Sequence, residues 1–194
     1  MNETRSKLAE AGFFLGLMEK HYHDDPAFDY VLSAFISAAR SVTWVMKAEH
    51  VHLEQWTKWY ASKAPSVDEA EFLKKINDLR VRAVKRATPA TAVMVELSMP
   101  TECVTREVER YLRDSVGRRM DVRLVGFQRD PVDHAGATVT GQGLTLTGAK
   151  LSAVYRAVEE FPEEDVLAVA RRYYEWLAAL LAEGEAHVSG RAPR

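Results

Sequence analysis

Between residues 72 and 86 the chain carries Lys74, Lys75, Arg80, Arg82, Lys85 and Arg86 against one acid, Asp78, which is its strongest local positive charge. Guanidinium and ammonium groups hold phosphate oxygens through charge-assisted hydrogen bonds, so Arg80, Arg82, Lys85 and Arg86 are the candidate phosphate ligands. Proton transfer is a different matter, because an exposed lysine with an ordinary pKa near ~10.4 is a poor base at neutral pH. The plain alternative for such a run is a solvated helix face. The other chemistry-bearing residues are weaker. His21, His23, Asp24 and Asp25 crowd one polar turn, where neighbouring side chains serve as caps and solvated groups more readily than as the convergent ligands a metal needs. His50 and His52 stand two residues apart, point to different sides of a helix and suit a position near its C-terminus. Trp56, Trp59 and Tyr60 could stack on bases, but their i, i+3, i+4 spacing is that of a core face. Gly141-Gln142-Gly143 opens no dinucleotide-binding turn, since Leu occupies position 146 and no helix follows. No metal and no cofactor is expected.

These residues need a scaffold, and apolar periodicity supplies one. Phe28, Val31, Leu32, Phe35, Ile36, Ala39, Val42 and Met46 recur at three- and four-residue steps and predict a helix over 26–49, the central member of an antiparallel bundle. Asp25 and Pro26 are expected to cap and open it. Ser33, Ser37 and Ser41 form a stripe of small side chains that would let a neighbouring helix approach. A first helix over 3–22 is expected from Leu8, Ala11, Leu15, Met18 and Tyr22, with Gly12 and Gly16 explained by close contact with another helix. Leu53, Trp56, Trp59 and Tyr60 predict a short helix over 52–62. Ser66 and Glu69 form a capping box ahead of a helix over 67–86, buried through Phe72, Ile76, Leu79 and Ala83. The last helix is expected over 163–183, with Pro162 before it, acids in its first turn and Gly184 beginning its unravelling. Residues 187–194 are expected to form a flexible tail.

Between the helices, residues 90–158 read differently. Val93, Val95 and Leu97 alternate with Met94, Glu96 and Ser98, which predicts a strand over 91–99. A second strand is expected over 121–128, a third at 144–147 and another around Leu151, Ala153 and Tyr155. Residues 101–115 fit a helix through Val104, Val108, Tyr111 and Leu112, with a charged strand as the alternative. A small antiparallel sheet inserted into the bundle is the simplest arrangement, and it must pack on the bundle to be stable.

The run Phe28, Asp29, Tyr30, Leu32, Ser33, Ala34, Phe35, Ser37, Ala38, Ala39, Arg40 and Ser41 resembles the second helix of HEPN-type helical domains, prokaryotic bundles tied to RNA or nucleotide chemistry. The resemblance implies a mainly α, HEPN-like domain over residues 1–186. Catalytic members carry an Arg followed, after four to six residues, by a His that transfers a proton at the ribose 2′-hydroxyl while the Arg steadies the phosphate. Asn77-Asp78-Leu79-Arg80 is similar to the lead-in to that motif, with Arg80 the matching arginine and Asn77 a further candidate. The positions for His hold Lys85, Arg86 and Ala87. The resemblance therefore points to a binding or interaction module without catalysis, with a divergent, metal-independent, toxin-like ribonuclease and a purely structural protein-interaction domain as the rivals.

The bulk numbers narrow the class. At 194 residues, with 47% hydrophobic and 28% charged composition, the chain can bury a sizeable core as one elaborated domain. A net charge of −2 excludes bulk attraction to nucleic acid but leaves room for a local basic face. One cysteine, Cys103, excludes an internal disulfide. With no apolar run long enough to span a bilayer, a cytoplasmic protein is expected, with RNA, a nucleotide, an acidic protein or a second copy of the chain as its possible partners.

Overall fold

The structure, a computed structural model, describes residues 2–86, 88–100, 108, 110, 120–127, 137–141 and 144–190. The chain is mostly helical, with a small mixed sheet, and it divides into two compact units. The first is formed by Met1–Ala90, Glu159–Pro162 and Val166–Arg194, the second by Thr91–Val158 and Glu163–Asp165.

The first unit holds five helices: α1 (Glu3–Lys20), α2 (Ala27–His50), α3 (Glu54–Ser62), α4 (Val67–Lys85) and α5 (Val166–Val188). The apolar period of α2 ends up inside, with Phe28, Leu32, Phe35, Ile36, Ala39, Val42 and Met46 all buried. Polar pairs between helix ends fix the directions. At the start of α1, the backbone N–H groups of Glu3 and Thr4 donate to the Glu49 carboxylate near the end of α2, at 2.6 and 3.4 Å. Arg5 pairs with Glu185 at 2.6 Å near the end of α5, and Arg171 at the start of α5 pairs with Glu19 at 2.8 Å near the end of α1. Thus α1 runs antiparallel to both α2 and α5. On the opposite side of α5, Lys63 just after α3 reaches Glu183 at 2.5 Å, and Phe72 of α4 meets the Tyr173 ring at 6.4 Å.

The helix ends depart from expectation in instructive places. Asn2 caps α1, accepting from the Arg5 N–H at 2.9 Å, and the capping box of Ser66 and Glu69 closes α4 as its sequence pattern requires. At α2, Pro26 itself stands at the cap position and brings no side-chain cap bond. The acids expected in the first turn of the last helix precede it instead, because α5 starts at Val166. Nor does α5 unravel at Gly184. That residue is buried one turn before the end of the helix, and a Cβ built on it would lie 2.8 Å from the Trp56 ring and 3.1 Å from Trp59. Glycine is there because two indoles occupy its side-chain space. Gly12 similarly faces the Tyr174 hydroxyl at 3.0 Å, whereas Gly16 has nothing within 4 Å and needs another explanation than helix contact. In the serine stripe Ser37 is exposed while Ser33 and Ser41 are half-buried, and Ser37 and Ser41 donate to their own helix at the Ser33 and Ser37 carbonyls, both at 2.9 Å.

The second unit contains β1 (Ala92–Pro100), β2 (Met120–Phe127), β3 (Ala137–Gly141) and β4 (Leu144–Ala157), in the sheet order β2-β1-β4-β3. The expected antiparallel sheet is corrected here. β1 and β2 are parallel, registered from Val93 opposite Met120 to Pro100 opposite Phe127, while β1–β4 and β3–β4 are antiparallel. A parallel pair needs a crossover of a dozen or more residues, and the segment between Pro100 and Met120 is long enough to supply it. The helix expected over 101–115 lies outside the described residues apart from Val108 and Arg110, both helical. The two pieces expected at 144–147 and around 151–155 are one strand, whose first part pairs with β3 and whose second pairs with β1. Among the described residues no helix is long and apolar enough to cross a membrane.

Candidate functional site

Along α4, a rotation of 100° per residue places Arg82, Lys85 and Arg86 within about 100° of one another and Arg80 on the other side. The structure treats the two groups differently. Arg82 is engaged by Glu160 through two bonds, Nε to Oε1 at 2.9 Å and Nη2 to Oε2 at 2.5 Å, with side chains only 20% and 12% exposed. Glu159 adds a longer contact at 3.9 Å. A fork-to-fork pair of this kind leaves the guanidinium no free edge for a ligand. Lys85 and Arg86 close the helix, exposed and without an ion pair to any described residue, where positive charge complements the helix dipole.

Arg80 faces a different group. Its Nη1 lies 3.4 Å from the Asn77 side-chain oxygen, one turn earlier on the same face. Arg80 acts electrostatically on Tyr173 of α5, as do Arg40 of α2 and Tyr60 of α3. Tyr173 is 2% exposed, and burial pushes its phenol up to about 12, with Arg40 and Arg80 acting in the opposite direction. Burial also raises Tyr60, again opposed by Arg40. Lys47 completes the set with its ammonium 4.8 Å from the centre of the Tyr60 ring. Arg40 donates to the Thr43 hydroxyl and lies 5.5 Å over the Trp44 ring.

Two properties make this cluster more than a set of surface charges. Arg40, Lys47 and Arg80 form no ion pair with any described acid, and the α2 sequence from Tyr30 to Ala48 contains no acid at all. Tyr60 and Tyr173 also hydrogen-bond no described residue. Because no fully buried side-chain polar atom among the described residues lacks a partner, both hydroxyls must reach solvent. Four helices thus bring three cations without ion-pair partners and two protonated phenols into the neighbourhood of Tyr173 and Tyr60, a set rich in donors whose acceptors are all neutral oxygens. Such a set has the chemistry to hold an anion with several oxygens and offers no group that takes up a proton at neutral pH.

The sequence pointed to Arg80 and Asn77, weighed Tyr60 as a stacking residue but assigned it to the core, and passed over Arg40, Lys47 and Tyr173 as site residues. Arg40 and Lys47 had a readable signal, as the two charges in an otherwise neutral helical stretch, seven residues apart and so on one face. The histidines go elsewhere. His50 packs on Trp56 with ring centres 4.6 Å apart, and His187 stacks on Trp59 at 5.6 Å while its Nε2 lies 3.2 Å from the Gln55 carbonyl. His21 pairs with Asp24 at 2.9 Å. His52 lines a surface hollow with Leu53, Glu54, Gln55 and Lys58, and His134 lies outside the described residues. Trp56, Trp59 and Tyr60 form the core cluster that their spacing implied, packed with Met46 and Leu181. Among the described residues no three His, Cys, Asp or Glu side chains are grouped as a metal would require.

Tyr173 gives this site a pH dependence of defined sign. Its folded pKa lies above the ordinary phenol value of about 10, so between about pH 10 and 12 the unfolded chain loses a proton that the folded chain keeps. Stability is therefore unaffected by Tyr173 below pH 10 and falls as pH rises through that window, by on the order of 2–3 kcal/mol. Tyr173→Phe should flatten that part of the profile in urea melts. An identical alkaline slope in the variant would place the ionising group elsewhere.

Compared with protein-family models, with curated proteins and with solved structures, the chain matches none of them.

Proposed function

We propose that the chain is a non-catalytic, HEPN-like binding module that holds the phosphates of RNA or a nucleotide at Arg80, Arg40 and Lys47. The observation that carries this reading is the gathering of three cations without acidic partners around two solvent-reaching phenols from separate helices. Unpaired charge of one sign costs stability through mutual repulsion, and it is a sensible arrangement where a ligand supplies the opposite sign. The site lies on the Arg80 side of α4 and not along the whole basic run. Arg82 serves the fold through Glu160, and Lys85 and Arg86 lie round the helix as secondary attraction for a long ligand.

The absence of catalysis follows from the donors. Tyr173 is held protonated far above neutral pH, lysine and arginine are cationic there, and His21, His50 and His187 are engaged in other contacts. RNA affinity measured across a salt series tests the reading, because each phosphate contact to a single strand contributes about 0.7 to the slope of log affinity against log salt. Arg80→Ala and Arg40→Ala should each lower affinity and reduce that slope by roughly 0.7–1, with the melting temperature nearly unchanged. Wild-type protein should show no metal-independent RNA cleavage above a Lys85→Ala control. Absence of binding at low salt would reject the module and favour a structural role for Arg80, whereas robust cleavage lost in Arg80→Ala would restore the ribonuclease.

A further inference from the structure

Trp44 is 63% exposed on α2, one turn after Arg40 and one turn before Lys47. A large indole left in water beside unpaired cations has no role in the core, which holds Val42, Thr43 and Met46 from the same turns. Arg40 covers one face of its ring at 5.5 Å. The residues three before and four after it on the helix are Ser41 and Ala48, too short to cover the other. The remaining tryptophans are placed differently, with Trp56 2% exposed and Trp59 and Trp176 half-buried.

We infer that Trp44 is a base-stacking platform and that the ligand of the adjoining cations is a single-stranded polynucleotide, an inference that rests on the phosphate-binding reading above. A base stacked on the open indole face would lie next to backbone phosphates held by Arg40 and Lys47, the pairing of aromatic surface with a basic track that single strands use. A duplex hides its base faces inside the stack and offers them only at its ends, so it gains nothing from Trp44. An acidic peptide would satisfy the cations but would leave the indole uncovered.

Three probes separate these cases: a short oligoadenylate, the same strand annealed to its complement, and inorganic polyphosphate, which has charge and no base. Wild-type protein should prefer the single strand over the duplex, and its tryptophan fluorescence should be quenched on binding. Trp44→Ala should weaken oligoadenylate binding about 5- to 100-fold, abolish most of the quenching and leave polyphosphate affinity unchanged. Trp44→Phe should recover much of the lost affinity. Arg80→Ala should weaken all three probes. If wild-type protein binds polyphosphate and oligoadenylate alike and Trp44→Ala changes neither, the stacking inference fails while the phosphate site stands; if wild-type protein binds none of the probes at low salt, both fail. Preference for the duplex, or a concentration-dependent dimer that Trp44→Ala dissociates, would equally overturn it, the latter by assigning the indole to a second copy of the chain.

Discussion

Phe35→Ala is expected to destabilise the helical unit by about 3–5 kcal/mol, lowering its melting temperature by roughly 10 °C or more. Phe35 is fully buried in α2, the helix that packs against α1, α4 and α5 together, so removing its ring opens a cavity that no single neighbour can close by moving. Lys58→Ala is the matched control. Lys58 is 77% exposed and its pair with Glu54 lies one turn away on the surface, where ion pairs contribute little, so a change under about 0.5 kcal/mol is expected. Chemical denaturation of both variants distinguishes the cases, and similar small effects would mean that Phe35 does not sit in the centre of the packing.

Gly184→Val should be nearly as damaging, at about 3 kcal/mol, for the opposite physical reason. No cavity is made. Instead, a new Cβ is placed 2.8 Å from the Trp56 ring, and that ring is only 2% exposed and has no room to retreat. Overpacking of this kind typically costs ~1–3 kcal/mol, and the branched side chain adds a smaller helix-propensity penalty. Gly16→Ala provides a comparison of opposite sign. Its Cβ meets nothing within 4 Å, so the substitution should stabilise the protein by about 0.5–1 kcal/mol through the propensity gain and the stiffer unfolded chain. Melting curves showing a tolerant Gly184 would contradict the packing around Trp56, and an intolerant Gly16 would contradict the open space beside it.

What could be read in advance was whatever repeats with the period of one helix. The buried face of α2 and the capping box at Ser66 and Glu69 depend on residues within a few turns, and both are in place. What could not be read depends on partners far along the chain. Arg82 resembled a free phosphate ligand because its carboxylate, Glu160, is 78 positions away. Gly184 resembled a helix end because the indoles that explain it belong to α3. The parallel pairing of β1 with β2 was within reach, since the helical pattern placed between those strands already demands a crossover, and an antiparallel hairpin does not accommodate one. The site was half legible. Arg80 and Asn77 emerged from the α4 run, but the angular separation of Arg80 from Arg82, Lys85 and Arg86 follows from helix geometry alone and says that the run is two faces. Tyr173, at the other end of the chain, joins Arg80 only through the fold.

The position of α5 has a bearing on how the protein comes to be made. Its side chains meet α1 at Arg171 and Glu185, α3 at Trp59 and Lys63, and α4 at Phe72, yet it leaves the ribosome only after residues 86–165 have been added. At about 5–20 residues per second, the first four helices wait some ~4–16 s for the element that covers them. During that interval the nascent chain presents the apolar rings of Phe72 and Trp56 to water and to its surroundings. That is the period in which chaperones have most to protect, and a slowly translated stretch within residues 86–165 would lengthen it without altering a single contact in the finished fold.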